Sequence, residues 1–363
     1  MPADDFVHDW PSSRVIFGTG AIAAAGRETA RLGLRPLLIG SPASAAYADA
    51  IEGQYEGGSA ARLDEVVMHV PTSAAQAASE TARQAGADVI VCVGGGSATG
   101  LAKGVAKFTG LPILAVPTTY AGSEMTSIWG LTDDGRKVTG RADVVRPKSV
   151  IYDPALTLSL PAPVSVTSGM NAIAHCVEAL YSPLASPIGL LAAEEGIRAM
   201  AGALPQIAEQ PDSITARSAA LRGAWLSGWA LNVSTMGLHH KLCHVLGGLF
   251  DLPHSPLHAV LLPYVAEYNA PSAPRAAERL TAALGITAEA QCPGATLWSL
   301  NASLGAPTSL RDIGMKEEWI ETGVAAALQA IDETPLTNPR HVDERGVSGL
   351  LQDAWAGKRP RAR

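Results

Sequence analysis

The sequence predicts an α/β domain built on a parallel sheet over residues 1–155, followed by an all-helical domain over residues 156–363. Three observations carry this reading. Strand-like and helix-like stretches alternate from Arg14 to about Asp153, the pattern of a parallel sheet covered on both faces. A glycine run, Gly94-Gly95-Gly96, follows an apolar strand and opens a helix. From Leu156 onward the apolar spacing turns helical, with breaks expected at Pro183, Pro187, Pro205, Pro211, Pro253, Pro271 and Pro307. At 363 residues the chain also exceeds one ordinary core, so length points to two domains as well.

Taken in order, RVIFGTGAIAAAGRETARLGLRPLLIGSP from Arg14 reads as a strand, a glycine turn, an alanine-rich helix and a second strand over Pro36–Ile39. Ala43–Glu56 is then helix-like, Leu63–Val70 strand-like, and Ser73–Ala85 a helix with small residues on its inner face. Asp88–Val93 is an apolar strand, and Ser97–Phe108 a helix whose N-terminus points at the glycine run. Glycines there let backbone approach a ligand without Cβ atoms in the way, so the loop suits a phosphate. The hydroxyl-rich PTTYAGSEMTS ends the next strand and is expected in the same crevice. The loop is neither the GxGxxG pattern nor a Walker loop, because the GK[ST] ending is missing. Where an acid would hold the ribose of NAD, the chain reads Gly40-Ser41-Pro42, without an arginine for a 2′-phosphate either; the choice between NADH and NADPH stays open. Residues 126–152 read as a β excursion turning at Asp134-Gly135, with a return strand that ends at Asp153-Pro154.

Composition narrows the class. Hydrophobic residues at 47% and charged residues at 17% describe a compact globular enzyme. A net charge of -7 argues against nucleic-acid or anionic-membrane partners. No apolar run has the length of a membrane span and the start MPADDFVHDW is unlike a signal peptide, so cytoplasmic residence is expected. Cys92, Cys176, Cys243 and Cys292 lie far apart without a CxxC pair and read as buried thiols.

The helical half concentrates the chemistry. Gly237–His258, GLHHKLCHVLGGLFDLPHSPLH, holds five of the nine histidines in 22 residues. His240 and His244 stand four apart on one helix face, and His254 follows a Gly-Gly interruption and a proline. VTSGMNAIAHCVEALYSP repeats that spacing with Asn171 and His175. Burying several imidazoles without a common partner carries a desolvation penalty for each, so a shared pocket facing the glycine loop is expected.

The ordered motifs GGGSATG, PTTYAGSE, YDPALTLSLP, SGMNAIAHCVEALYSP and LHHKLCHVLGG with LPH resemble the iron-containing alcohol dehydrogenase and dehydroquinate synthase-like superfamily, and within it most of all the maleylacetate reductases. The likeness runs from about Phe17 to DAWAGKRP. It implies a Rossmann-like N-terminal domain, an all-α C-terminal domain, a nicotinamide cofactor (NADH or NADPH) in the cleft between them, and a homodimer. It places the pyrophosphate on Gly94, Gly95, Gly96 and Ser97, with further cofactor contacts at Thr118, Thr119, Ser123 and Lys137. Metal-dependent relatives hold a divalent ion with an Asp and three His, at positions corresponding to 171, 175, 240 and 254. Here the first is Asn171, whose amide oxygen is a neutral and weaker donor than a carboxylate, and a site that works without metal is expected.

The resemblance implies reduction of the conjugated double bond of maleylacetate to 3-oxoadipate, in the breakdown of aromatic compounds. Hydride adds to the alkene carbon β to the ketone and leaves an enolate for imidazole donors to stabilise. His240 and His254 are the expected stabilisers, His175 their support and His244 the proton donor. A small dicarboxylate needs a local cation, for which Lys241 and Arg141 are candidates, with Tyr120 and Trp129 as candidate pocket walls. A related reductase for another carboxylated enone or ketone and a metal-dependent alcohol dehydrogenase are the alternatives. Asn171 speaks against the second.

Overall fold

The computed structural model describes residues 12–67, 70–133, 136–285 and 292–361, leaving aside the side chains of Arg136 and Lys137. It contains two compact units. One runs to Leu160 and takes in Asp212–Leu221; the other comprises Pro161–Pro211 and the chain from Arg222 on.

The first unit is organised by strands β1 (Arg14–Phe17), β2 (Pro36–Ile39), β3 (Ala61–Leu63), β4 (Val89–Gly94), β5 (Ile113–Pro117) and β8 (Ser149–Tyr152), in the spatial order β1-β8-β5-β4-β2-β3. All pairings in this sheet are parallel. Strands β2, β4, β5 and β8 are buried along their whole length, which is why their sequences are continuous apolar runs without alternation. Helices α1 (Ala25–Ala30) and α2 (Ala45–Glu52) pack together, as do α3 (Thr72–Gln84) and α4 (Gly96–Thr109). The chain winds from β2 to β3 in one direction and from β4 through β5 to β8 in the other. That reversal between β2 and β4 is where loops diverge and ligands lodge in open α/β sheets.

Two readings of this half need correction or placement. The strand expected over Leu63–Val70 is confined to Ala61–Leu63. Asp64 and Glu65 follow it, and Arg62 within the strand is tied to Asp49, Glu52 and Asp64 at 2.6–2.8 Å, a charged cluster at the end of a short edge strand. The β excursion forms as an antiparallel pair, β6 (Ile128–Asp133) with β7 (Arg136–Arg141); the expected turn at Asp134-Gly135 lies outside the described residues. Leu156 belongs to the sheet's apolar core, with Leu38, Val91, Leu114 and Ile151.

The second unit is helical. It contains α5 (Ala162–Leu180), α6 (Pro187–Glu209), most of α7 (Ile214–Asn232), α8 (Leu238–Phe250), α9 (His254–Asn269), α10 (Pro274–Ala283), α11 (Pro293–Ser303), α12 (Ile320–Glu333) and α13 (Glu344–Ala356). Helix α5 packs on α6 and α9, and α8 on α9 and α12. The α5–α6 approach depends on Gly169, where a Cβ would come within 2.7 Å of Leu204. Leu242, Leu246, Leu257, Val260 and Leu261 form the core beneath α8 and α9. Pro205, expected as a break, sits inside α6. It lies close enough to the helix end that little of the hydrogen-bond ladder follows it. Cys92, Cys176 and Cys243 are buried free thiols and Cys292 is half-buried. Among the described residues no helix is long and apolar enough to cross a membrane.

Candidate active site: a glycine loop and a histidine cluster

In the first unit the glycine loop stands at the reversal point of the sheet. Gly94 ends β4 with φ +149°, a conformation side chains rarely adopt, and a Cβ there would stand 3.0 Å from the Ala98 methyl. At Gly95 a Cβ would come 3.0 Å from Thr119 Cγ2. Thr119 therefore lies directly over the loop, and the neighbouring Thr118 N–H donates to the Gly94 carbonyl at 3.0 Å. Gly96 is exposed and begins α4, with Ser97 next and no side chain capping the helix start, so backbone N–H groups are the donors presented there. On the β2 side Ser44 Oγ donates to the Val93 carbonyl at 2.9 Å and fixes the Gly40-Ser41-Pro42 turn beside the loop. The structure thus brings Gly94, Gly95, Gly96, Ser97, Thr118 and Thr119 together.

Ser123 is held from below. Lys103 on α4 is buried, and its ammonium donates to the carbonyls of Ser123, Thr126 and Ile128 at 2.6, 2.9 and 2.7 Å. Burial pushes Lys103 down to about 7, against the opposing charge of Glu124. Lys137 lies on β7, its side chain outside those described. Tyr120 and Trp129 have packing roles: Tyr120 is fully buried with its hydroxyl accepting from Arg217 at 3.2 Å, and Trp129 packs on Gly140 with the Lys107 ammonium 4.5 Å from its ring. Arg141 ends β7 opposite Ile128.

In the second unit three helices assemble the imidazoles. Asn171, His175 and Glu178 lie on one face of α5; His239, His240 and His244 come from the start of α8; His254 opens α9 and His258 follows one turn later. His175 stacks on His240 with ring centroids 5.0 Å apart. His258 meets His254 at 4.4 Å, His239 at 4.9 Å and His240 at 5.0 Å, and His244 lies 6.4 Å from His240. His175, His240, His254 and His244 are thus one cluster, with Asn171 one turn before His175 on the same face of α5. The sequence reading missed Glu178, His239 and His258. Their signal was periodicity: Glu178 is three residues beyond His175, and His258 four beyond His254.

Glu178 organises the cluster. Its carboxylate accepts the Gly237 and His239 N–H groups at 2.9 and 2.8 Å, which caps the N-terminus of α8. It also lies 2.6 Å from His240 Nδ1. Gly237 makes room for it, since a Cβ there would stand 3.1 Å from Glu178 Oε1. Burial alone would raise the carboxyl; the His240 hydrogen bond, the His240 and His239 charges and the Gly237 amide outweigh it and hold Glu178 down at about 2. His239 is lowered to about 4 by burial and by His240, with its Nε2 against the His258 carbonyl at 3.1 Å. His175 and His258 are pushed well below the ordinary imidazole value by burial first and by neighbouring rings second. At neutral pH these three rings are uncharged.

Several buried polar atoms here have no protein partner: Asn171 Oδ1, His175 Nδ1, His240 Nε2 and both ring nitrogens of His258. Such atoms are costly unless something else meets them. Lys241 is not in the cluster. Its ammonium donates to the carbonyls of Ala330 and Thr334 at 3.0 and 3.3 Å, at the C-terminal end of α12, because one residue along a helix turns the side chain about 100° from His240. Its expected catalytic role is therefore replaced by a helix-capping one.

Residues 11–154 match the iron-containing alcohol dehydrogenase family and residues 165–355 its C-terminal domain. The chain is 47% identical to the maleylacetate reductase of Pseudomonas knackmussii, over 99% of this chain and 100% of that one. It is 45% identical to that of Sphingobium indicum, over 98% and 99%. The crystal structure of maleylacetate reductase from Rhizobium sp. strain MTP-10005 superimposes with a TM-score of 0.91 at 42% identity, covering 98% of this chain and 99% of that one. A family named for its iron lends no support to the expectation of a metal-free site. The donors present fit a divalent ion, since Asn171 Oδ1 and His240 Nε2 are buried, unpartnered electron-pair donors. Among the described residues, ligand atoms of His239, His240 and His258 also come within 4.8 Å of one another, although His239 already has a carbonyl partner. Sequence and fold agree: the chain belongs to the iron-containing alcohol dehydrogenase family and, within it, groups with the maleylacetate reductases.

Proposed function

We propose that this oxidoreductase reduces the conjugated double bond of maleylacetate to 3-oxoadipate with NADH or NADPH. The observation that carries the reading is the set of buried imidazole and amide atoms without protein partners, centred on His240, in a chain whose full-length relatives bear that activity in their names. The glycine loop and the first turn of α4 receive the cofactor's pyrophosphate, with Thr118, Thr119 and Ser123 beside it and Lys137 as a further contact. When bound, the nicotinamide would supply a hydride for the alkene carbon β to the ketone, which would leave the ketone oxygen as an enolate for this chain's imidazoles to meet. A proton then arrives at the neighbouring carbon.

His240 and His254 are the groups proposed to meet that oxygen, with His175 stacked behind His240. His240 reaches it through Nε2, the ring nitrogen on the side away from Glu178. His244, half-buried at the edge of the cluster, gives the proton. In a dry site such donors act far more strongly than in water. Asn171, His175, His240 and His254 would hold a divalent ion, which supplies Lewis-acid polarisation of the ketone when bound. The neutral amide of Asn171 weakens that hold, and the imidazoles sustain the reaction without it. A homodimer in the cytoplasm is the proposed assembly, which light scattering after gel filtration would test.

The decisive assay follows NADH and NADPH oxidation by freshly generated maleylacetate, with chelator-dialysed protein and again after zinc or iron is restored. Turnover in the dialysed protein is expected. Turnover only after metal is restored removes the metal-free part of the reading, and none with either cofactor in either state removes the reading itself.

A further inference from the structure

The role of Glu178 goes beyond capping α8. We infer that Glu178 is a positioning residue that keeps a proton on His240 Nδ1, so that Nε2 is the atom through which His240 works. This rests on the proposed function in taking His240 as a residue that acts on substrate.

Four contacts converge on the carboxylate: the amides of Gly237 and His239 at 2.9 and 2.8 Å, the Tyr181 hydroxyl at 3.1 Å, and His240 Nδ1 at 2.6 Å. The first three partners can only donate to it or are placed to do so, and the group is fully buried. A carboxylate held by three donors accepts from the fourth as well, so the His240 proton on this side belongs to Nδ1. The opposite nitrogen, Nε2, is buried and has no protein partner. The ring cannot easily turn over: His175 stacks on one face at 5.0 Å, with His239 and His258 set edgewise at 5.1 and 5.0 Å. The carboxylate on α5 therefore decides which atom of an α8 histidine is offered to a ligand. In the neutral ring that atom is an electron-pair donor, suited to a metal ion or to receiving a proton. In the protonated ring it is an N–H, suited to an enolate oxygen. Neutral His240 cannot take the opposite tautomer without leaving a buried carboxylate one donor short.

The test uses full-length protein labelled with ¹⁵N in its histidine rings, with the His240 signals identified by their loss in His240→Ala. In the wild type Nδ1 is expected to carry a proton. In Glu178→Gln, whose amide nitrogen can donate to Nδ1, that nitrogen is expected to be left without one, which forbids the doubly protonated ring in which Nε2 is a strong donor; Glu178→Asp, which keeps an acceptor there, should hold the proton on Nδ1. Across the same three proteins kcat for maleylacetate should fall about 10–100-fold in Glu178→Gln and recover in part in Glu178→Asp, while KM for NAD(P)H stays level. A wild-type Nδ1 without a proton overturns the inference, as does an unchanged ¹⁵N pattern in Glu178→Gln. A lost Nδ1 proton with unchanged kcat overturns the positioning role. If the wild type does not reduce maleylacetate yet shows the Nδ1 proton and its loss in Glu178→Gln, the proposed substrate fails and the tautomer assignment stands.

Discussion

Glu178 on α5 and His240 on α8 are 62 residues apart in the chain and 2.6 Å apart in the fold. The carboxyl is held near 2 in the folded protein, well below its ordinary 4.5, so its contribution to stability is present above the ordinary value and is lost as pH falls from about 5 to 2. Replacement by Gln leaves one of the Gly237 and His239 amides without an acceptor, which costs about 1–3 kcal/mol at neutral pH. Urea unfolding at pH 7 and at pH 4 checks both points: the wild type should lose part of its advantage over Glu178→Gln on acidification.

A second acid limb belongs to the buried rings. His175, His239 and His258 all have lowered values in the folded protein. Unfolded imidazoles take up protons first as pH drops below about 6.5, so stability is full above that pH and declines below it. Melting temperatures should fall between pH 7 and pH 5, and less steeply in His258→Leu. Equal slopes for the two proteins would refute the assignment of neutral buried rings.

The glycine loop makes a steric prediction. Gly94→Ala places a methyl at φ +149° and 3.0 Å from Ala98, at a cost of about 1–3 kcal/mol. The strain falls on the loop assigned to pyrophosphate, so NADH and NADPH titrations by fluorescence should weaken tenfold or more. Gly110→Ala is the control; its φ is also positive, with open space around the new Cβ, and cofactor affinity should hold.

Lys241→Met removes an ammonium from the end of α12 and no group from the histidine cluster. A stability loss of about 0.5–1.5 kcal/mol is expected, with kcat and KM for maleylacetate near wild type. A KM rise of tenfold would return Lys241 to the site.

Asn171→Asp puts a carboxylate where the buried, unpartnered amide oxygen of Asn171 now stands. Divalent-ion affinity, read by calorimetry on protein freed of metal, should rise at least tenfold. Unchanged affinity would show that Asn171 Oδ1 does not belong to the ion's donor set.

Local physics makes much of this protein readable in one dimension. Continuous apolar runs mark the buried parallel strands, and glycines mark the loop because a Cβ would crowd Ala98 at Gly94 and Thr119 at Gly95. The i, i+4 spacing of Asn171 with His175 and of His240 with His244 is enough to place each pair on one helix face. Tertiary structure decided what depends on neighbours distant in sequence. It brought Glu178 to His240 and His258 between His239 and His254, and it turned Lys241 to the end of α12. The strand expected to reach Val70 stopped at Leu63, where Arg62 finds acids from α2. Periodicity reports which residues share a face of one element. Which faces meet, and so which proton sits on which nitrogen, follows only when separate helices pack.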